Sequence, residues 1–324
     1  MKPRDNKKLR TMIQGYESET HTHAMGMHMF GILGLISFGI MAVPIFTLPA
    51  HRALVAQVAP EATQKPLAHF AATPVRAHAA LVYDLTTNKT LYEQNATAQL
   101  PLASLTKLLT LYATASRVSG DSVVTLSEES LAQEGDSGFT AGEQFYVRDL
   151  ERFALVASSN DAAQALSEEA QKRTAQNDQS LMASAATAAG LMNTRATNST
   201  GLDISPSVSG GYGTARDVAI LAGELLTLTP SVAKATTRDS VTITSLSGIS
   251  HTLPNTNQSI GHIPNPLLSK TGLTDLAGGN LVIIFDVGLN HPIAIVVLGS
   301  TKEERFTDVQ HLVDSTLAYF APTQ

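Results

Sequence analysis

The order of the apolar patterns along the chain constrains its fold more than any other feature of the sequence. Two short runs rich in strand-forming residues, 80–85 and 90–93, lie on either side of a polar Thr-Thr-Asn-Lys turn. Two further runs, 281–287 and 293–299, flank a second turn late in the chain. Such paired runs are typical of β-hairpins. We therefore expect strands near both ends of the folded part of the chain.

Between these two hairpins, apolar residues recur at the helical period. In the segment 147–157, for example, Val147, Leu150 and Phe153 fall on one face of a helix. The same pattern predicts further helices at 104–116, 161–173, 178–189, 214–226 and 303–320. This order indicates a single α/β domain in which the first hairpin pairs with the late strands, beside a helical lobe.

An uncharged segment, residues 29–50, precedes the predicted domain. As a helix it would be about 33 Å long, which is enough to cross the core of a bilayer. It is preceded by the basic residues Lys2, Arg4, Lys7, Lys8 and Arg10. Because positive flanks stay inside, we predict a cytoplasmic tail at 1–28, a single-pass transmembrane signal-anchor at 29–50, an extracytoplasmic linker at 51–77 and a folded domain at 78–324. The alternative is a cleaved signal peptide and a secreted domain, although the apolar part of such peptides is usually shorter.

Composition narrows the functional classes. The net charge is −6 and no basic stripe follows the N-terminus, so a nucleic-acid partner is not expected. The absence of cysteine excludes disulfides, thiol catalysis and thiolate metal sites. A stretch of histidine and methionine at 21–29 offers ligands for copper, but we favour a flexible segment beside the membrane. We expect neither a metal nor a cofactor.

Ser104 and Lys107 stand one helical turn apart within an apolar segment. Residues three apart share a helix face, so the lysine amine can reach the serine hydroxyl. The simpler alternative is that Ser104 caps the helix while Lys107 extends to water.

Two more polar groups interrupt the apolar patterns. Ser158 and Asn160 break a helical region, where a helix N-cap at Asn160 or Asp161 is the simpler alternative. Lys270, Thr271 and Gly272 occupy a run where an edge strand is expected, and edge strands often carry lysine. Each group alone specifies little.

Together, S-x-x-K, S-x-N and K-T-G occur in the order that is typical of penicillin-binding proteins and class A β-lactamases. The segment 82–110, with its P-x-A-S-x-T-K ending, resembles the opening of the low-molecular-weight penicillin-binding proteins, the D-alanyl-D-alanine carboxypeptidase and endopeptidase family. The blocks at 198–203, 212–221 and 270–281 are also similar to that family, in the family's order. The resemblance covers about 78–320. It implies an α/β fold of the β-lactamase and transpeptidase type, an antiparallel sheet with a helical lobe, which the predicted transmembrane helix would precede.

The resemblance also implies a role for each site residue. Ser104 would be the nucleophile, Lys107 its base, Ser158 a proton carrier and Asn160 a holder of the lysine and the substrate amide. Lys270 and Thr271 would bind the substrate carboxylate, Gly272 would let the substrate lie along the strand, and the backbone N–H of Leu273 would complete an oxyanion site. The expected partners are peptidoglycan peptides, with β-lactams as inhibitors.

This chemistry requires a neutral Lys107. An ordinary lysine has a pKa of about 10.4, so half-deprotonation near pH 7 requires the pKa to fall by about 3, which costs about 4–5 kcal/mol. We expect the apolar surroundings and a nearby Lys270 to supply it.

Three alternatives stay open at this point. Many family carboxypeptidases carry a second, β-rich domain and a C-terminal amphipathic anchor, which we do not expect after the helix at 303–320, so carboxypeptidase and endopeptidase are both possible. A serine β-lactamase would need a glutamate to activate water, yet Glu168, Glu169 and Glu224 all lie inside predicted helices. A non-catalytic protein that binds cell-wall peptides or β-lactams would have no use for a lysine with a lowered pKa.

Overall fold

Buried strands from both ends of the domain form one antiparallel sheet in the computed structural model, which describes residues 70–71 and 74–321. Along the sheet the strands follow in the order β10 (Pro266–Thr274), β11 (Gly278–Asp286), β12 (Pro292–Ser300), β1 (Ala79–Asp84) and β2 (Lys89–Gln94). The pairing of β1 with β12 confirms that the first hairpin joins the late strands, and β10 forms one edge of the sheet.

Seven helices accompany this sheet within the described residues: α1 Thr106–Ala115, α2 Val147–Val156, α3 Asn160–Thr174, α4 Asp178–Ala188, α5 Ala215–Leu228, α6 Pro230–Ala235 and α7 Glu304–Phe320. All of the predicted helices are present. Three of them begin at a residue whose side chain accepts a backbone N–H of the first turn, namely Ser159, Asn177 and Thr214. Such caps satisfy donors that have no partner within the helix.

Short strands join distant parts of the chain into smaller sheets. A three-stranded sheet combines β3 Leu100–Pro101, β7 Gly211–Gly213 and β6 Arg195–Ala196. Two hairpin-like pairs complete the set, β4 Val123–Thr125 with β5 Gln144–Tyr146, and β8 Ser240–Thr244 with β9 Ser250–Pro254. The sequence analysis predicted none of these strands, nor the short helix α6.

The five-stranded sheet is covered on both faces, which explains why its strands read as continuous apolar runs. In β1, Leu81 and Tyr83 pack towards the helical lobe, whereas Ala80 and Val82 pack towards α7. The lobe side contains the helix α1, so the larger core cluster directly supports the segment that carries Ser104 and Lys107.

The end of the predicted linker packs on the domain. Phe70 is 8% exposed and stacks on Tyr92, and the backbone N–H groups of Arg76 and Ala77 donate to the carboxylate of Asp308. Residues 70, 76 and 77 therefore pack against the folded domain. Asp308 of α7 holds this entry segment in place.

The predicted tail at 1–28, the signal-anchor at 29–50 and the histidine and methionine stretch at 21–29 lie outside the described residues. No helix within residues 70–71 and 74–321 is both long enough and apolar enough to cross a bilayer.

Candidate active site

Ser104 and Lys107 meet at the start of α1. A single 3-10 turn, Ala103–Leu105, leads directly into the helix and carries Ser104 on its outer side. Lys107 follows in the first turn of α1 and is fully buried, so it does not extend to water as the simpler alternative required. Its Nζ lies 2.9 Å from Ser104 Oγ. Ala103 adopts a positive φ of 49°, a conformation that only glycine adopts freely.

The other two partners of Lys107 fix the direction in which its amine can accept a proton. Nζ donates to Asn160 Oδ1 at 2.6 Å and to the Thr200 carbonyl at 2.8 Å. Asn160 presents its oxygen because its Nδ2 donates to the Glu134 carbonyl at 2.6 Å. A neutral amine has two N–H groups and one lone pair, and both acceptors need an N–H. The lone pair therefore faces the hydroxyl of Ser104.

Burial lowers the pKa of Lys107 to about 7. The charged form of a lysine that has left water loses its hydration, which favours the neutral amine. The pKa of Lys270 is also well below its ordinary value, because of burial and of repulsion from Lys107 and Arg305. The sequence analysis expected the repulsion between the two lysines to act on Lys107, whereas the structure assigns the low pKa of that residue to burial.

The middle motif brings Ser158 and Asn160 to the same place. Ser158 has a φ of 61°, which turns the chain sharply between α2 and α3. Its Oγ accepts from Lys270 Nζ at 2.8 Å, and no described hydrogen bond joins it to Lys107. The residue between the two, Ser159, is the N-cap of α3 and hydrogen-bonds Ser137 Oγ at 2.6 Å. The alternative of an N-cap at Asn160 or Asp161 is therefore wrong.

The third motif lies on the edge strand β10. Lys270 is buried and donates to the Thr271 carbonyl at 2.8 Å as well as to Ser158. Thr271 Oγ1 donates to Thr256 Oγ1 at 2.7 Å. A Cβ on Gly272 would lie 2.7 Å from the Leu102 carbonyl oxygen, so the glycine lets β10 pack closely on the segment that leads to Ser104. This contact gives Gly272 a packing role that the sequence analysis did not foresee.

All three motifs thus line or border one cleft. Its volume is about 320 Å³, and Ser104, Ser158, Thr271 and Leu273 are among its lining residues. Comparison with known protein families adds the deciding observation: residues 63–302 match the family described as D-alanyl-D-alanine carboxypeptidase. The chain belongs to the D-alanyl-D-alanine carboxypeptidase family.

Individual relatives agree with this assignment. The chain is 29% identical to D-alanyl-D-alanine carboxypeptidase DacF of Bacillus subtilis over 75% of its own length and 63% of the relative's length. It is 32% identical to a D-alanyl-D-alanine endopeptidase of Pseudomonas aeruginosa over 73% of this chain and 74% of that protein. The chain therefore spans less than two thirds of the Bacillus carboxypeptidase.

A solved structure shows the same fold. Penicillin-binding protein D2 from Listeria monocytogenes, in its ampicillin-bound form, superposes with a TM-score of 0.62 and 28% identity. The match covers 76% of this chain and 98% of that one. The α/β transpeptidase-like fold with its antiparallel sheet and helices is thereby confirmed.

The sequence analysis of this D-alanyl-D-alanine carboxypeptidase family member did not predict two residues that contact the site. Arg305 of α7 lines the cleft, is 6% exposed and donates from Nη1 to the Gly272 carbonyl at 2.7 Å. Its Nε is buried and has no partner in the described part of the chain. Thr200, whose carbonyl accepts from Lys107, lies in the 198–203 block, for which the sequence predicted no role in the site. Neither has a short-range sequence signal, because both reach the site only through the fold.

Across the residues that the structure describes, no group of three or more histidine, aspartate or glutamate side chains could hold a metal ion.

Proposed function

We propose that this chain is a serine D,D-peptidase that acts on peptidoglycan stem peptides, as a D-alanyl-D-alanine carboxypeptidase or a D,D-endopeptidase. The observation that carries the proposal is the buried Lys107 amine, whose pKa is lowered to about 7 and whose Nζ lies 2.9 Å from Ser104 Oγ. A serine hydroxyl becomes a useful nucleophile only when a base accepts its proton. Membership of the family supports the same reaction.

In the proposed first step, Ser104 Oγ attacks the carbonyl carbon of the peptide bond that precedes the terminal D-residue. Lys107 Nζ takes the hydroxyl proton as the new C–O bond forms. The C–N bond then breaks, and the proton held by Lys107 reaches the leaving amine through Ser158, which Lys270 holds at 2.8 Å, so that Lys107 is neutral again before water attacks. Water attacks the resulting ester, and Ser104 regains its proton. The backbone N–H groups of Ser104 and Leu273 would stabilise the oxyanion.

Substrate recognition in this proposal uses the positive groups beside β10. A terminal carboxylate at Thr271 would meet Lys270 and the unpartnered Nε of Arg305. As its carboxylate approaches, the pKa of Lys270 would rise, so that the lysine carries a charge when the substrate is bound. Because β10 is an edge strand, a substrate backbone can add to it as a further strand.

Incubation with a purified peptidoglycan digest, followed by mass spectrometry, tests the proposal. Loss of one terminal alanine from monomeric peptides would identify a carboxypeptidase, and conversion of cross-linked dimers to monomers would identify an endopeptidase. A Ser104→Ala variant is the matched control and should do neither. If the folded wild-type chain binds these peptides but changes none of them, it is a binding protein rather than a peptidase.

β-Lactams are proposed to acylate Ser104 and to leave slowly. In the described residues that line the cleft, no carboxylate side chain is present to activate water against the ester. A chromogenic cephalosporin should therefore react once per chain. Rapid multiple turnovers would instead indicate a serine β-lactamase.

We also propose that residues 29–50 anchor the chain in the membrane, with the N-terminus in the cytoplasm and the domain outside. The basic residues before the segment and its uncharged length support this arrangement. A reporter that works only outside the cytoplasm, fused after residue 60, should be active. Activity of a cytoplasmic reporter at the same position would contradict the orientation.

A further inference from the structure

A second cavity lies at the far end of α1 from Ser104. Its volume is about 250 Å³, and it opens where α1 ends at Ala115, beside Glu151 of α2 and the junction of α5 with α6. The length of α1 places about 15 Å of helix between this cavity and the catalytic cleft. The two sites share no lining residue among those described.

Glu151 is the unusual residue of this cavity. Its side chain lines the wall, is 3% exposed, and forms no hydrogen bond or ion pair with any residue that the structure describes. Burial raises its pKa to about 8. The oxygens of Glu151 are not among the fully buried atoms that lack a partner, so the carboxyl faces the cavity and can be reached from it.

The other charges on the wall already neutralise one another. Arg148 pairs with Asp121, and its guanidinium lies 4.4 Å from the ring centre of Tyr146. Neither group is directed to Glu151 by any described contact. The ionised form of Glu151 would thus leave one uncompensated negative charge in the cavity.

Three helix ends meet at this cavity: α1 and α5 end there, whereas α6 begins there at Pro230 and contributes a partial charge of the opposite sign. The C-terminal residues of α1 and α5, Ala115 and Leu228, both line the cavity. Carbonyl groups at helix C-termini lack partners within the helix and carry partial negative charge. Thr229 donates its hydroxyl to the Leu225 carbonyl at 3.1 Å, so its oxygen has free lone pairs that can accept. The wall therefore offers hydrogen-bond acceptors to a positively charged donor.

Apolar side chains form part of the remaining wall. Val118 and Val232 line the cavity, which suits an alkyl chain better than a hydrated metal ion. Divalent cations such as Ca²⁺ need six or more oxygen ligands, and one carboxylate cannot supply them. We propose that this cavity binds a primary ammonium group on a short alkyl chain, with the carboxylate of Glu151 as its counter-ion.

Binding would be coupled to a proton. Near pH 7 the free protein holds Glu151 in its protonated form, whereas the complex needs the carboxylate. Each bound ammonium ion would therefore displace one proton from Glu151 to the buffer, and the ligand would keep its own proton because alkylamines, like lysine, have a pKa of about 10.4. The affinity should rise with pH between 6 and 8.

Calorimetry on the full chain with n-butylammonium chloride tests the proposal. We expect one site per chain with a dissociation constant on the order of 1 mM, the release of about one proton at pH 6.5 in buffers of different ionisation enthalpy, and tighter binding at pH 8.5. Tetramethylammonium, which has no N–H donor, and potassium ions serve as competitors. Equal affinity for either of them would overturn the assignment to an ammonium group.

Variants separate binding in this cavity from binding elsewhere. Glu151→Gln keeps the shape of the side chain and should weaken n-butylammonium binding at least about tenfold, with no proton release. Ser231→Trp keeps Glu151 but fills the opening, and should also abolish binding. Glu129→Gln, an exposed glutamate, is the matched control and should bind normally. Unchanged binding in both cavity variants, with normal thermal unfolding, would disprove the site.

Discussion

The pH dependence of acylation is the most direct test of the role of Lys107. Its pKa of about 7 makes about 1% of the amine neutral at pH 5, about half at pH 7 and nearly all at pH 9. If the neutral amine is the base, the acylation rate should rise about 50-fold between pH 5 and pH 7 and only about twofold above pH 7. An unburied lysine would be neutral in about one molecule in 2,500 at pH 7.

The assay is the first-order rate of labelling by a fluorescent penicillin at saturating concentration. Saturation matters because the bound carboxylate then keeps Lys270 protonated, so that its own titration does not distort the profile. Lys107→Ala should slow labelling by about 10²–10⁴-fold and remove the rise near pH 7. Lys172→Ala, which removes a lysine whose side chain is 65% exposed, is the control and should leave the profile unchanged.

The reasoning fails if wild-type labelling is independent of pH between 5 and 7, or if it rises only above pH 9. The first result would mean that a group other than Lys107 accepts the proton. The second would mean that burial does not lower the pKa of Lys107 as the structure indicates.

Three further predictions follow from single contacts. Asn160→Ala removes the oxygen that holds the catalytic amine at 2.6 Å and should slow penicillin labelling by about 10²-fold while thermal unfolding changes little. Gly201→Ala should destabilise the domain by more than about 1 kcal/mol, since φ is +78° and the new Cβ would lie 1.9 Å from the Ala103 carbonyl oxygen. Urea titration measures this loss. Gly190→Ala, at φ +70° but with no atom within 4 Å of the new Cβ, should lose less unfolding free energy, and an equal loss would contradict the close-approach argument. Glu151→Gln should raise the free energy of unfolding relative to wild type, and the difference should grow from pH 4.5 to about pH 8. The raised pKa means that the native wild-type protein binds the proton more tightly than the unfolded chain, so wild type loses stability as the pH rises through this range. The difference should reach at most about 5 kcal/mol. A difference that shrinks with rising pH would show that the carboxyl is not buried in solution.

The sequence predicted the elements whose burial leaves a periodic signal. The first and last hairpins and the longer helices follow directly from apolar patterns, and β10 was expected at the edge because Lys270 interrupts its apolar run. The first strand of the β8–β9 pair does carry a strand signal, since Val241 and Ile243 alternate with Thr242 and Thr244, and the sequence analysis overlooked it. The small sheet of β3, β7 and β6 consists of strands of two or three residues, too short for any periodicity.

The sequence predicted only those contacts of the candidate site that join residues close together in the chain. Ser104 and Lys107 are neighbours on one helical turn, so their contact follows from local geometry. The carbonyl of Thr200 and the guanidinium of Arg305 reach the site through packing of remote segments, which leaves no mark on the local sequence. Their roles follow from their hydrogen bonds to Lys107 and Gly272, respectively.

Two residues of the site, Ala103 and Ser158, have left-handed backbone, and this has a consequence for the evolution of the protein. Each holds a backbone conformation that costs an L-residue about 1–2 kcal/mol, and glycine would adopt it freely. Selection for heat resistance alone should therefore favour glycine at both positions. Retention of Ala103 and Ser158 despite this gain would show that selection for the function of the site outweighs selection for stability at these positions.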